Sequence, residues 1–186
     1  MNNIKDYIIR IENVLSDELC NQIINEYKNC NDWIDTKVGS GSINKTIRNC
    51  QTIGISTSNI INLNYDVRKN IDNQIFEKAA YCIKTYNEKF THCQIEQDSG
   101  YDLLKYEENG FYTEHTDSFK AIPRSVSCSF ALNDNFEGGE FAFFNQELKY
   151  KINKGDVLMF PSNFMYPHEI MPVKKGIRFS IVTWFI

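Results

Sequence analysis

Several things are scarce or missing in this chain, and each absence narrows what it can be. No apolar run approaches the ~20 residues that a membrane-spanning helix requires, so no membrane partner is expected. There is no basic surplus either. Lys and Arg number 20 against 24 Asp and Glu, a net charge of -4 that offers no general field for a polyphosphate backbone, so nucleic acid is not an expected partner. The six cysteines (Cys20, Cys30, Cys50, Cys82, Cys93 and Cys128) include no CxxC pair, which argues against a zinc knuckle or a disulfide framework and for reduced thiols in a cytoplasmic protein. The opening "MNNIKDYIIRIENVLSDELC" carries charges inside its apolar run and does not read as a signal peptide. Histidine is rare, with only three in 186 residues, so the company each one keeps carries information.

What is present is an ordinary globular composition, 42% hydrophobic and 24% charged, on a length that suits one domain with its own core. Residues 1–186 are therefore read as a single domain, with helical support over roughly 1–92 and a β-rich core over roughly 93–186. "SDELCNQIINEYKN" predicts a helix: Ser16 is the candidate N-cap, Asp17 and Glu18 suit the helix dipole, and Leu19, Ile23, Ile24 and Tyr27 form an apolar stripe. A longer helix is expected after Asp66, where Val67, Ile71, Ile75, Ala79, Ile83, Tyr86 and Phe90 recur every three or four residues. Between them "DTKVGSGSINKTIRN" is polar and aperiodic, read as a surface connection with a substrate-covering lid as the alternative.

From Tyr101 the pattern changes. "YDLLKY", "FYTEH", "SVSCSFAL", "EFAFF", "LKYKI", "DVLMF", "HEIMPV" and "RFSIVTWFI" predict eight short strands separated by Gly-bearing turns, including one at Gly138 and Gly139. Such spacing points to a sandwich or barrel rather than a parallel α/β sheet. In "SVSCSFAL", Val126, Cys128, Phe130 and Leu132 suit packing under helices, while Ser127, Ser129 and Ala131 are small enough to line a cavity.

The chemistry is concentrated in "FYTEHTD" and "FPSNFMYPHEI". His115 and Asp117 stand two residues apart, a spacing that on a strand points both side chains to one side, and His168 follows in the same β-rich region. Two histidines and one carboxylate can hold a metal such as non-haem Fe(II) on one face, leaving three positions open. Ten residues beyond His168, Arg178, Ser180, Val182 and Trp184 share one face of the last predicted strand. An arginine turned inward needs an anion, and its planar fork suits a carboxylate. His92 in "THCQ" fits no such set and is read as a surface or helix-end residue.

On these residues the chain resembles the Fe(II)- and 2-oxoglutarate-dependent dioxygenases, within them the prolyl 4-hydroxylase-like group. The likeness runs from "IENVLSDELC" through "KYEENGFYTEHTD", "LNDNFEGGEFAFF" and "NKGDVLMFPSNFMYPHEIMPV" to "KKGIRFSIVTW". The resemblance implies a mainly β fold with N-terminal helices, a double-stranded β-helix or jelly-roll of two antiparallel sheets. It implies Fe(II) held by His115, Asp117 and His168, with 2-oxoglutarate and O2 as cosubstrates and ascorbate as a further candidate. Arg178 would take the distal carboxylate of 2-oxoglutarate with Ser180 beside it, Tyr106 would hydrogen-bond near the cosubstrate or metal, and Trp184 would wall the pocket; Tyr112 is read as packing. Two features depart from relatives: arginine stands where many prolyl hydroxylases use lysine, and Ala131 stands where oxygen-sensing members carry a tyrosine. The expected reaction is hydroxylation of a peptidyl proline, with a free amino acid, another side chain or a small metabolite as the alternative substrate. A non-enzymatic metal-binding module is the alternative of another class. Residues that choose the substrate are expected in the loops around 36–50 and 118–125.

Overall fold

The computed structural model describes residues 3–39, 41–56 and 65–186. A 3₁₀ turn at Ile4–Tyr7 precedes β1 (Ile9–Ile11), α1 (Asp17–Tyr27), β2 (Ile34–Asp35), β3 (Arg48–Asn49), β4 (Gln51–Gly54) and α2 (Tyr65–Lys89). The β-rich half follows as β5 (Asp102–Tyr106), β6 (Phe111–His115), β7 (Val126–Ala131), β8 (Glu137–Gly138), β9 (Phe141–Phe143), β10 (Leu148–Tyr150), β11 (Val157–Pro161), β12 (His168–Ile170), β13 (Val173–Lys175) and β14 (Arg178–Phe185). All eight expected strands form, with "HEIMPV" divided into β12 and β13 around Met171 and Pro172.

Every strand pairing is antiparallel. Seven strands form one sheet in the order β1-β11-β7-β14-β5-β4-β2, five form another in the order β10-β9-β12-β6-β3, and β13 pairs with β8 alone. Because side chains alternate across a strand, the central β7 serves two cores at once. Val126, Cys128 and Phe130 join the cluster shared with Ile23, Ile71, Ile75 and Tyr86 of the helices, and Ala131 joins the cluster between the two sheets with Phe141, Phe143 and Phe160. β7 is consequently buried along its whole length.

The helices form where the sequence expects them. Ser16 caps α1 by accepting a hydrogen bond from the Leu19 amide at 3.2 Å, which satisfies one of the free N–H groups of the first turn. Its buried stripe is Leu19, Cys20, Ile23 and Tyr27, with Ile24 at the edge. In α2 the buried face begins with Arg68 rather than Val67, which is exposed. Arg68 is drawn inward by Glu26 and Asp32, at 2.9 and 2.8 Å, and lies over the Tyr27 ring, so charge pairing overrides the apolar periodicity at this end. No helix among the described residues is long and apolar enough to cross a membrane. His92 is exposed just beyond the end of α2.

Gly138 and Gly139 have φ of 75° and 67°, the left-handed region that glycine tolerates. A Cβ at Gly138 would lie 2.2 Å from the Pro172 carbonyl oxygen, and one at Gly139 would lie 3.1 Å from Cδ of Arg178. The β8–β13 pairing thus brings bare backbone against the root of the cavity-facing arginine.

Candidate active site

β6 and β12 are neighbours in the five-stranded sheet, and His115 stands directly opposite His168 in their register. Their rings lie 4.3 Å apart. Asp117 completes the group from just beyond the end of β6, rather than from within the strand as the spacing suggested. Its position is fixed by the neighbouring chain instead: the amides of Asp117 and Ser118 both donate to the Ser162 carbonyl, at 3.2 and 2.9 Å. The carboxylate then lies 3.5 Å from Nε2 of each histidine, through Oδ1 to His115 and Oδ2 to His168. The potential ligand atoms of the three residues lie within 4.8 Å of one another.

Hydrogen bonding sets both rings for the same purpose. Nδ1 of His115 meets the Thr113 carbonyl at 2.9 Å, and Nδ1 of His168 meets the Tyr166 carbonyl at 3.1 Å. A carbonyl can only accept, so each Nδ1 carries the proton and each Nε2 presents a lone pair toward Asp117. Ser127 donates to Asp117 Oδ2 at 2.6 Å and also touches the Ser162 hydroxyl at 2.8 Å, holding the carboxylate from β7. Burial, then the proximity of His115, push His168 down to about 4, so this ring is neutral at pH 7. Burial alone would raise the Asp117 carboxyl, but His168, His115 and Ser127 outweigh it and hold the group well below the usual carboxylate range. Two imidazole Nε2 atoms and an ionised carboxylate converging on one point can hold a divalent cation.

The group faces a cavity of about 680 Å³ between the two sheets. All four residues of the predicted β14 face, Arg178, Ser180, Val182 and Trp184, line it, as do Tyr106, Ser127 and Ser129. Arg178 is 5% exposed and donates to Ser180 Oγ at 2.9 Å. Its guanidinium lies over the rings of Tyr106 and Phe141, at 5.2 and 5.3 Å. No carboxylate among the described residues pairs with it, and burial pulls its pKa below the ordinary value. Such a cation calls for an anion from outside the chain. Tyr106 is fully buried opposite Arg178 in the β5–β14 register, and burial raises its phenol. Ala131 stands opposite Ser180 across β7 and β14, so Ser180 is the hydroxyl nearest in register to the position where a tyrosine was missing. Trp184 lines the far end of the cavity, beneath the Arg124 guanidinium at 3.5 Å.

Four other residues were not assigned a role by the sequence. Ser127 was expected only as a small lining residue, and nothing in "FPSNF" singles out Ser162, because both act through contacts between segments distant in the chain. Arg48 and Arg124 lie in the two loops expected to choose substrate; residue 40 of the first loop lies outside the described residues. That loop does more than connect, since Thr36, Lys37, Val38, Ile47 and Arg48 all line the cavity. Tyr112 stacks on His115, with ring centroids 3.5 Å apart, and so packs against the site.

Comparison with known proteins gives concordant matches. Residues 101–186 match the family described as the 2OG-Fe(II) oxygenase superfamily. A PKHD-type hydroxylase of Idiomarina loihiensis is 29% identical over 88 residues, covering 44% of this chain and 39% of its own. A PKHD-type hydroxylase of Prochlorococcus marinus is 29% identical over 181 residues, covering 92% of this chain and 74% of its own. The chain therefore spans well under half of the first relative and about three quarters of the second. Among solved structures, a prolyl hydroxylase from Trichoplax adhaerens in complex with a hypoxia inducible factor oxygen degradation domain peptide fragment superposes with a TM-score of 0.77 at 19% identity, over 97% of this chain and 83% of that one.

Proposed function

We propose that the chain, whose residues 101–186 match the 2OG-Fe(II) oxygenase superfamily, is an Fe(II)- and 2-oxoglutarate-dependent hydroxylase of the prolyl 4-hydroxylase type, acting on a peptidyl proline. The observation that carries this reading is the union in one cavity of a two-histidine, one-carboxylate group with a buried arginine that has no anionic partner. His115, Asp117 and His168 hold the iron in this reading, and Arg178 with Ser180 receives the distal carboxylate of 2-oxoglutarate. Tyr106 packs beside that carboxylate, and Trp184 walls the substrate end. The domain is read as one unit over residues 1–186, its two sheets as the halves of a double-stranded β-helix.

Bound there, Fe(II) with 2-oxoglutarate and O2 supplies the oxidising power, converting a substrate C–H to C–OH while the cosubstrate becomes succinate and CO2. The chain's own residues prepare for this in three ways. The carbonyls of Thr113 and Tyr166 keep the Nδ1 protons and so turn both Nε2 atoms toward the shared point as ligands. Ser127 fixes the Asp117 carboxylate, which otherwise could rotate away from the shared point. The buried setting of Arg178 strengthens its attraction for a carboxylate and gives that attraction a direction through the guanidinium fork. A peptide substrate is favoured by the likeness to the Acanthamoeba polyphaga mimivirus protein described as "Putative prolyl 4-hydroxylase" and to the prolyl hydroxylase solved with a peptide fragment, and a cytoplasmic setting by the six free thiols. Ascorbate is retained as a further cofactor candidate.

The test is a screen of proline peptides and small metabolites with purified protein, Fe(II) and 2-oxoglutarate. Mass spectrometry should find a gain of one oxygen on a proline peptide, matched mole for mole by substrate-dependent succinate. A metabolite that gains oxygen while every proline peptide stays unchanged would sink the prolyl assignment and leave the hydroxylase one standing.

A further inference from the structure

The chain has five arginines. Arg10 pairs with Asp156, and Arg68 pairs with Glu26 and Asp32. Among the described residues the other three, Arg48, Arg124 and Arg178, form no ion pair, and all three line the same cavity. The proposed cosubstrate accounts for Arg178 and leaves two.

Those two are visibly incomplete. Arg48 donates from Nη1 to the Lys37 carbonyl at 3.3 Å and lies over the Tyr112 ring at 4.5 Å, while Arg124 donates from Nη1 to the Asp117 carbonyl at 3.2 Å and lies over the Trp184 ring. Each keeps a buried Nε with no hydrogen-bond partner, and the hydroxyl of Thr52, another lining residue, is in the same state. A guanidinium beside a cavity is rarely left without an anion, so two that line one cavity and pair with no carboxylate among the described residues mark a place for an anionic ligand.

That ligand is not the cosubstrate already assigned. Arg178 and Trp184 are six residues apart on β14, about 20 Å of strand, so Arg124 over Trp184 stands at the opposite end of the cavity wall from Arg178. The metal-binding group lies between the two ends: Ser127, which holds Asp117, is Trp184's register partner, while the Phe141 ring packs against His168 on one side and the Arg178 guanidinium on the other. Both unused arginines therefore border the group that would bind iron: Arg48 through the stack of Tyr112 on His115, Arg124 through the backbone of Asp117.

We propose that Arg48 and Arg124 form a carboxylate-binding pair for the substrate, so that the residue to be hydroxylated carries or adjoins a carboxylate. This rests on the hydroxylase reading above. Asp117 acts electrostatically on Arg124, but its charge is committed to the metal in this reading; Asp102 lines the same cavity and acts on both arginines without an ion pair, so it offsets one of the two charges and leaves a balance suited to a monoanion rather than a phosphate dianion. The carboxylate has two possible sources, an acidic side chain next to the target residue or the free α-carboxylate of a terminal residue or amino acid. Exposed Ile34, Ile47, Phe119 and Ile122 on the cavity lip offer apolar contact to residues flanking the target and make the peptide side chain the first source.

The test uses an array of acetylated proline peptides in matched pairs: Glu against Gln and Asp against Asn beside the proline, and free-acid against amide C-termini directly after it. Anaerobic protein loaded with Fe(II) and 2-oxoglutarate is applied first, so binding is read without turnover. Carboxylate members should retain about tenfold or more protein than their amide partners, as expected for a charge-assisted hydrogen bond. Which pairs show the preference identifies the source. Arg48→Gln and Arg124→Gln should each reduce it; if either variant fails to fold, the wild-type preference should shrink with rising salt, as screening requires. An array on which carboxylate members hold no more protein than their amide partners, whether both bind or neither, overturns the proposal. So does a preference that persists in the folded double variant. Admitting air then tests the parent reading separately. Oxygen gain on neutral and acidic peptides alike, without preference, would refute the arginine pair but uphold the hydroxylase, whereas a carboxylate preference with no oxygen gain on any peptide would refute the prolyl hydroxylase.

Discussion

Replacing Arg178 with Met separates a cosubstrate-binding arginine from a structural one by the sign of two effects. Met keeps much of the stem and its packing against Tyr106 and Phe141 while removing the charge and the hydrogen bond to Ser180. Without ligand, the change deletes a buried cation that has no carboxylate partner, which relieves a desolvation cost and loses two ring contacts of order 0.5–2 kcal/mol each. These oppose one another, so the stability of the ligand-free protein should stay within about 1 kcal/mol of the parent. With 2-oxoglutarate the balance differs. Removing one member of a buried, hydrogen-bonded charge pair costs ~2–5 kcal/mol, which corresponds to a roughly 30-fold or greater loss of affinity. Anaerobic calorimetry, titrating Fe(II) and then 2-oxoglutarate, measures both constants; the Fe(II) constant should barely move because Arg178 is outside the three-residue group. Thermal unfolding offers a second reading, since saturating 2-oxoglutarate should raise the parent's midpoint by mass action and the variant's far less. A variant that binds 2-oxoglutarate as tightly as the parent would refute the assignment. A ligand-free variant that loses several kcal/mol would show that Arg178 serves the fold.

Asp117→Ala should remove measurable Fe(II) binding and all substrate-dependent succinate while the circular dichroism spectrum stays that of the parent; near-normal turnover at limiting iron would disprove its role as ligand. Ser127→Ala keeps all three ligands but frees the carboxylate, and a loss of iron affinity of about 10- to 100-fold is expected by titration. For pH, His168 is held neutral, with a folded pKa of about 4 against an unfolded value near 6.5, so below pH 6.5 the unfolded chain binds more protons. Metal-free stability should therefore fall by up to about 3 kcal/mol as pH drops from about 6.5 to 4, and added Fe(II) should oppose the loss; denaturant midpoints that stay flat over this window would contradict it. Gly138→Ala sets a Cβ 2.2 Å from the Pro172 oxygen at positive φ and should destabilise the protein by about 1–3 kcal/mol in urea unfolding, unlike Gly39→Ala, where no neighbouring atom lies within 4 Å.

Sequence alone determined the features that depend on local periodicity. The stripe from Leu19 to Tyr27, the alternation along "SVSCSFAL" and the Gly-bearing turns set out both helices and eight strands, because each follows from where a residue must sit to bury its side chain. The order and spacing of His115, Asp117, His168 and Arg178 were likewise legible, and a resemblance to known enzymes rested on them. Tertiary structure decided what local pattern could not encode. Asp117 reaches the histidines because Ser162, 45 residues later, grips its backbone, and the carboxylate is oriented by Ser127 on the opposing sheet. Arg68 turned inward against its apolar stripe because Glu26 and Asp32 arrived from elsewhere in the chain. Arg48 and Arg124 look like any loop arginines in sequence; only the closed fold shows that no carboxylate meets them and that both face the same cavity as Arg178. Periodicity reports which side of its own element a residue occupies, whereas partnership between charges depends on distances that pairing and packing alone establish.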